Sequence, residues 1–208
     1  MLYSPVLQTY IIGNQSIQLF VPDPVRLKKD YKKQSAASAS LYWAKVWPAA
    51  IGLCYFLQDN PHYITNKKVL ELAAGPGLPG IFAASLASSV CISDIEPAAI
   101  TLMQQSVTHH QLNNVSCKVI DWNNLANEPI PDTVLLSDIN YEPAQFKNLL
   151  QAIEYLLNKQ CTIILSTPQR LVAKEFINQL LVYCIEQSSF DVELDNKETA
   201  VSVFVLKK

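Results

Sequence analysis

Cationic excess is missing from this chain of 208 residues: 16 lysines and arginines against 18 aspartates and glutamates leave a net charge of −2. That balance argues against a nucleic-acid footprint, which is normally basic. Histidine is scarce, at three, and His109 and His110 are neighbours that would face different ways on a helix. Neither metal binding nor a histidine-based triad is expected. The five cysteines (54, 91, 117, 161 and 184) include no CxxC pair. They read as reduced thiols of a cytoplasmic protein and not as a disulfide frame. No apolar run reaches the roughly 18–20 residues that span a bilayer. The start, MLYSPVLQTY, lacks the charged and apolar regions of a signal peptide. Hydrophobic residues make up 50% of the chain and charged ones only 16%, which suits a globular protein, most simply one domain over 1–208.

Glycine is scarce too, and its placing is therefore informative. Three of the five glycines, Gly75, Gly77 and Gly80, fall within six residues in KKVLELAAGPGLPGIFAAS. An apolar β-type run, Val69 to Leu72, enters the cluster and a helix-like run, Ile81 to Leu86, leaves it. A strand, a glycine turn and a helix start bring backbone N–H groups and a positive helix end against a ligand. Glycine suits the turn because a Cβ would obstruct positive φ and the ligand's close approach. GxGxxG alone is weak evidence. Glu71 strengthens it: four residues before Gly75, an acid would repel a diphosphate but suits a cationic amino group. S-adenosylmethionine carries an ammonium and a sulfonium and no phosphate. A nicotinamide-dependent oxidoreductase would leave Glu71 unexplained.

The strand ends that follow agree with that ligand. VCISDIEP ends a short strand in Asp94, 19 residues after Gly75, with Glu96 two further on; an acid at about this spacing meets ribose hydroxyls in nucleotide-binding βαβ units. Glu96 has a plainer reading as the favourable acid that starts a helix. The next strand, 116–120, runs into Asp121-Trp122, an acid for the adenine amino group and an indole on which adenine could stack. The fourth, 133–137, ends in Asp138-Ile139-Asn140-Tyr141. Ligands of open α/β sheets sit at carboxyl strand ends, so this succession is informative.

The remaining chain alternates strands and helices. A β-hairpin is expected over 9–21 about Gly13-Asn14, then a basic loop over 26–40, then a tryptophan-bearing helix over about 43–58. Strands are expected at 68–72, 90–93, 115–120, 132–137, 161–166, 189–194 and 199–206, with helices at 79–88, 96–112, 143–158 and 170–187. This order predicts an α/β, Rossmann-like sheet, mostly parallel and covered on both faces. The last two strands, joined only by Asp195-Asn196-Lys197, must pair antiparallel.

YWAKVWPAAIGLCYFL (42–57), VLELAAGPGLPG (69–80), ISDIEP (92–97), the Asp-Trp pair 121–122 and DINY (138–141) together resemble the class I, seven-strand S-adenosylmethionine-dependent methyltransferases. More narrowly the chain resembles the family-16 protein lysine methyltransferases, over about residues 10 to 206. The resemblance implies a methyl transfer to a protein lysine, S-adenosylmethionine as cofactor and a monomer acting on a protein substrate. It carries Trp47, Glu71, Gly75, Gly77, Asp94, Asp121, Trp122 and Asp138 to the cofactor, and Asp138 and Tyr141 to catalysis. Plain readings stand beside these: Trp47 as core and Tyr141 as a packed turn residue; Trp43 reads as packing or as acceptor wall, Arg170 as support for the acceptor region or as a solvated helix start, and the lysines of 28–33 as a solvated loop or part of a substrate entrance. Asn140 brings a partial likeness to the Asn-Pro-Pro-Tyr of amide and adenine N-methyltransferases, so a small-molecule or amide acceptor stays open. A non-catalytic S-adenosylmethionine-binding module is opposed by the presence of Glu71, Asp94, Asp138 and Tyr141 together.

Overall fold

The computed structural model describes residues 4–27 and 41–208. Most of the expected basic loop, with its lysines at 28–33, lies outside the described residues; Arg26 and Leu27 belong to a helical turn over 24–27. β1 (Pro5–Ile12) and β2 (Gln15–Pro22) pair antiparallel from Pro5–Pro22 to Ile12–Gln15. The turn between them holds Gly13 at φ +54°.

Seven strands form the main sheet. β3 (Lys68–Leu72), β4 (Ser89–Asp94), β5 (Val115–Val119), β6 (Thr133–Ser137) and β7 (Thr162–Pro168) run parallel, while β8 (Cys184–Leu194) and β9 (Lys197–Leu206) complete the order β5-β4-β3-β6-β7-β9-β8. β9 is antiparallel to both of its neighbours. The β8–β9 turn uses Asp195 and Asn196, both at positive φ, the pairing that lets a two-residue hairpin follow strand twist.

The two faces are covered by different helices. On one, Val69, Ile92, Leu135 and Ile164 pack with α1 (Pro48–Asp59), α2 (Leu78–Ala83), α3 (Pro97–His109) and the hairpin. On the other, Leu70, Leu72, Val134 and Leu136 pack with α4 (Phe146–Asn158) and α5 (Lys174–Leu180). Adjacent residues of one strand go to opposite clusters, as the strand's period of two requires. Each large side chain so buried, such as Phe56 or Phe176, contributes about 1.5–3 kcal/mol. The same alternation turns Glu71 toward the α1–α2 face, where it is wholly buried.

Several boundaries differ from those expected: the hairpin starts at Pro5 instead of 9, the helix expected over 79–88 ends at Ala83, and two others shift further. The tryptophan-bearing helix begins at Pro48, so Trp47 is its N-cap with extended backbone and Trp43 lies in a preceding 3-10 turn, Leu41–Ala44. Proline favours the first helical position and pushes the residue before it out of the helical region. The helix expected over 170–187 shrinks to α5 between 3-10 turns, and β8 begins at Cys184 instead of 189. From Cys184 onward inward and outward residues alternate, which only a strand satisfies.

Candidate active site

The carboxyl ends of β3, β4, β5 and β6 surround one cavity of about 670 Å³, within the range of ordinary ligand sites. β3 leads into its floor through three positive φ angles, Ala73 (+51°), Gly75 (+54°) and Gly77 (+79°). The chain before α1 crosses this turn: a Cβ on Gly75 would lie 3.0 Å from the Trp43 carbonyl oxygen. Trp47, Gly75, Asp94, Asp121, Trp122, Asp138 and Tyr141 all line the cavity, with Glu96.

Asp94 organises the turn. Its Oδ2 accepts from the Gly75 N–H at 2.9 Å and its Oδ1 from the Glu96 N–H at 3.0 Å. Burial raises its pKa, and these backbone donors work against that rise. Glu96 caps α3, accepting from the Ala98 N–H at 3.3 Å, and borders the cavity as well, so its two readings coexist. Asp121 accepts from the Asn123 N–H at 2.9 Å and fixes the turn that presents Trp122. The Trp122 ring packs partly on the α4 side of the core and partly on the cavity.

Two expected cofactor residues stand elsewhere. Glu71 does not line the cavity: its Oε2 accepts from the Gly80 N–H at 2.8 Å, inside α2, and its Oε1 has no hydrogen-bond partner among the described residues. Burial pushes its pKa up to about 8, first among causes, with the nearby Asp94 charge adding and the Gly80 N–H opposing. The pleat faces Glu71 inward, where it is bonded to the helix that follows the turn. Gly77 is also absent from the lining. A Cβ there would come within 2.9 Å of Ile92, so this glycine serves helix-on-sheet packing.

At the end of β6, Asp138 sits at φ +55° and is 7% exposed. Both of its carboxylate oxygens accept from Arg170, Oδ1 from Nη1 and Oδ2 from Nη2, the latter at 3.0 Å. A non-glycine residue held at positive φ costs about 1–3 kcal/mol and persists where its surroundings fix it. Asn140 turns away from the cavity, fully buried, with its Oδ1 accepting from Thr167 at 2.7 Å. Asn140, the residue behind the partial likeness to an amide-methylating tetrapeptide, is thus not part of the cavity lining. Tyr141, more than a third exposed, stands at the rim with Tyr42, ring centroids 4.6 Å apart, and Tyr42 meets Trp47 at 5.9 Å. Burial first, then the Glu142 and Asp94 charges, raises the Tyr141 pKa.

The sequence leaves Tyr42 and Lys45 unassigned and gives Arg170 two readings, support for the acceptor region and a solvated helix start. For Lys45 the signal was present: it is the only charge between Leu41 and Leu57. For Arg170, 32 residues from Asp138, no spacing rule announces the pair.

The sheet order and the cavity at its carboxyl edge are those of the S-adenosylmethionine-dependent methyltransferases. A putative methyltransferase, SMU.776, solved complexed with SAH, superposes with a TM-score of 0.66 at 13% identity, over 99% of this chain and 57% of that one. In sequence, protein N-lysine methyltransferase METTL21A of Xenopus tropicalis is 34% identical over 155 residues, 73% of this chain and 69% of that protein. Histone-arginine methyltransferase METTL23 of Homo sapiens is 28% identical over 158 residues, 73% and 83% of the two chains. The lysine methyltransferase family profile matches residues 24–182, and the chain belongs to that family. It is an S-adenosylmethionine-dependent methyltransferase.

Proposed function

We propose that the chain transfers a methyl group to the side-chain nitrogen of a lysine in a protein substrate. The observation that carries this reading is the aromatic rim of Tyr42, Trp47 and Tyr141 over the cavity that Gly75 and Asp94 floor. The residues fit the donor. Asp94 and Glu96 take the ribose hydroxyls, Asp121 and Trp122 the adenine, and the turn at Gly75 the amino-acid end, where a Cβ would narrow the space. When bound, S-adenosylmethionine supplies an electrophilic methyl. The chain's own task is then to bind, exclude water and align the amine, which is where most of the acceleration in such a displacement arises.

A lysine amine starts with a pKa of about 10.4 and must be neutral to attack. Aromatic walls favour the neutral form by withholding solvation. Asp138 has both carboxylate oxygens committed to Arg170, so it positions the site and does not take the proton; the proton leaves to solvent before transfer. The same pair favours lysine over arginine as acceptor, since the carboxylate best suited to grip a guanidinium already holds one. Glu142, exposed at the rim, draws the lysine ammonium in.

The reading carries a monomeric single domain over 1–208 in the cytoplasm. The five cysteines are free, as a reducing compartment keeps them. Among the described residues no helix is long and apolar enough to cross a membrane. The test is incubation with a methyl-labelled donor and a protein extract, then hydrolysis and amino-acid analysis. Label in methyllysine supports the proposal; label in methylarginine, or in small molecules alone, overturns it.

A further inference from the structure

We infer that Lys45 is the cation that receives the α-carboxylate of bound S-adenosylmethionine. The inference rests on the proposed cofactor reading and extends it to a residue that no motif marks. The donor brings an anionic carboxylate into a cavity whose lining, among the described residues, holds five acids, Asp94, Glu96, Asp121, Asp138 and Glu142, and two cations, Lys45 and Arg170. An anion entering such a lining needs a cation of its own. Arg170 has both terminal nitrogens on Asp138. Lys45 lies with its Nζ 3.8 Å from the centroid of the Trp47 ring, and among the described residues no carboxylate pairs with it within salt-bridge distance.

Its place is right as well as its charge. The segment carrying Lys45 crosses the glycine turn, with the Trp43 carbonyl oxygen 3.0 Å from where a Gly75 Cβ would stand. The glycine turn is where the amino-acid end of the ligand is read. Three residues after Lys45, α1 begins without a side-chain cap and without an acid in its first turn, and Ala50 of that turn borders the cavity. The Trp47 ring gives the ammonium a seat worth about 0.5–1 kcal/mol at an exposed site. A carboxylate in charge-assisted contact is the stronger partner.

Calorimetric titration tests this with two ligands, S-adenosylmethionine and its decarboxylated analogue, which keeps the sulfonium and ammonium. The wild-type chain should prefer the carboxylated ligand by roughly ten- to hundredfold. Lys45→Met, exposed and therefore tolerated by the fold, should abolish that preference, and Lys45→Arg should retain most of it. A preference unchanged in Lys45→Met, or equal loss of both ligands, overturns the assignment to Lys45. Failure of the wild-type chain to bind either ligand would instead sink the cofactor placement on which it rests.

Discussion

Asp138 is held twice, by a backbone angle that asparagine, aspartate and glycine tolerate best and by a two-point bond to Arg170. Removing the arginine leaves a carboxylate whose side chain is 6% exposed without its partner. Arg170→Ala should therefore cost about 1–2 kcal/mol of stability, the partial exposure of the arginine moderating the loss, measured by urea unfolding. Methyl transfer should fall at least about tenfold while cofactor affinity stays within a few-fold, the split expected of a residue that positions the acceptor end. Asp94→Ala should do the opposite. Losing a charge-assisted contact and the Gly75 N–H partner should weaken cofactor binding by about 1.5–3 kcal/mol, read by calorimetry. Glu71 gives a third expectation. Its folded pKa of about 8 lies above its ordinary 4.5, so the folded chain holds a proton that the unfolded chain releases between those values. Stability contributed this way is complete below about 4.5 and is lost as pH rises through about 8, at up to about 1.4 kcal/mol per pH unit. Denaturant unfolding at several pH values should find that slope flattened in Glu71→Gln.

Among the elements, the glycine turn separates ligand contact from packing. Gly75→Ala places a Cβ on a positive φ beside the Trp43 carbonyl and should abolish measurable cofactor binding. Gly77→Ala meets Ile92 at 2.9 Å on the buried side; overpacking of about 1–3 kcal/mol should lower its melting temperature while a folded fraction still binds. Calorimetry beside thermal unfolding distinguishes the two. Strands β4 and β6 and their polar ends were legible because each apolar run stops at an acid, β3 because its apolar run enters the glycine cluster, and the short link Asp195-Asn196-Lys197 announced the antiparallel close. The acid of the glycine turn was legible as important but not as buried, since Glu71's direction depends on which face of the sheet α1 and α2 cover. The start of α1 was obscured by the apolar run YWAKVW, whose helix-like composition outweighed the proline signal beside it. Lys45 escaped, and Arg170 stayed divided between two readings, because their meaning lies in partners brought near only by folding.

For the molecule as a whole, alkaline conditions act in opposite senses. Transfer should speed up with pH as more of the acceptor amine becomes neutral, while the buried Glu71 carboxyl makes the fold less stable. Initial rates at 25 °C should climb through pH 8 and above, whereas inactivation on prolonged incubation should quicken as pH rises from about 4.5 to about 8 and level off beyond. Rates independent of pH would exclude a lysine acceptor that must shed its proton. The sheet order has a consequence of another kind. β9 lies between β7 and β8, so β8 reaches the sheet only through a strand that follows it in the chain. During synthesis, β8 leaves the ribosome before there is a place for it, and the edge of β7, with Ile163, Ile164 and Leu165, stands open until β9 arrives. Unpaired apolar edges recruit other chains, so this enzyme passes through its most sticky state just before its sheet closes.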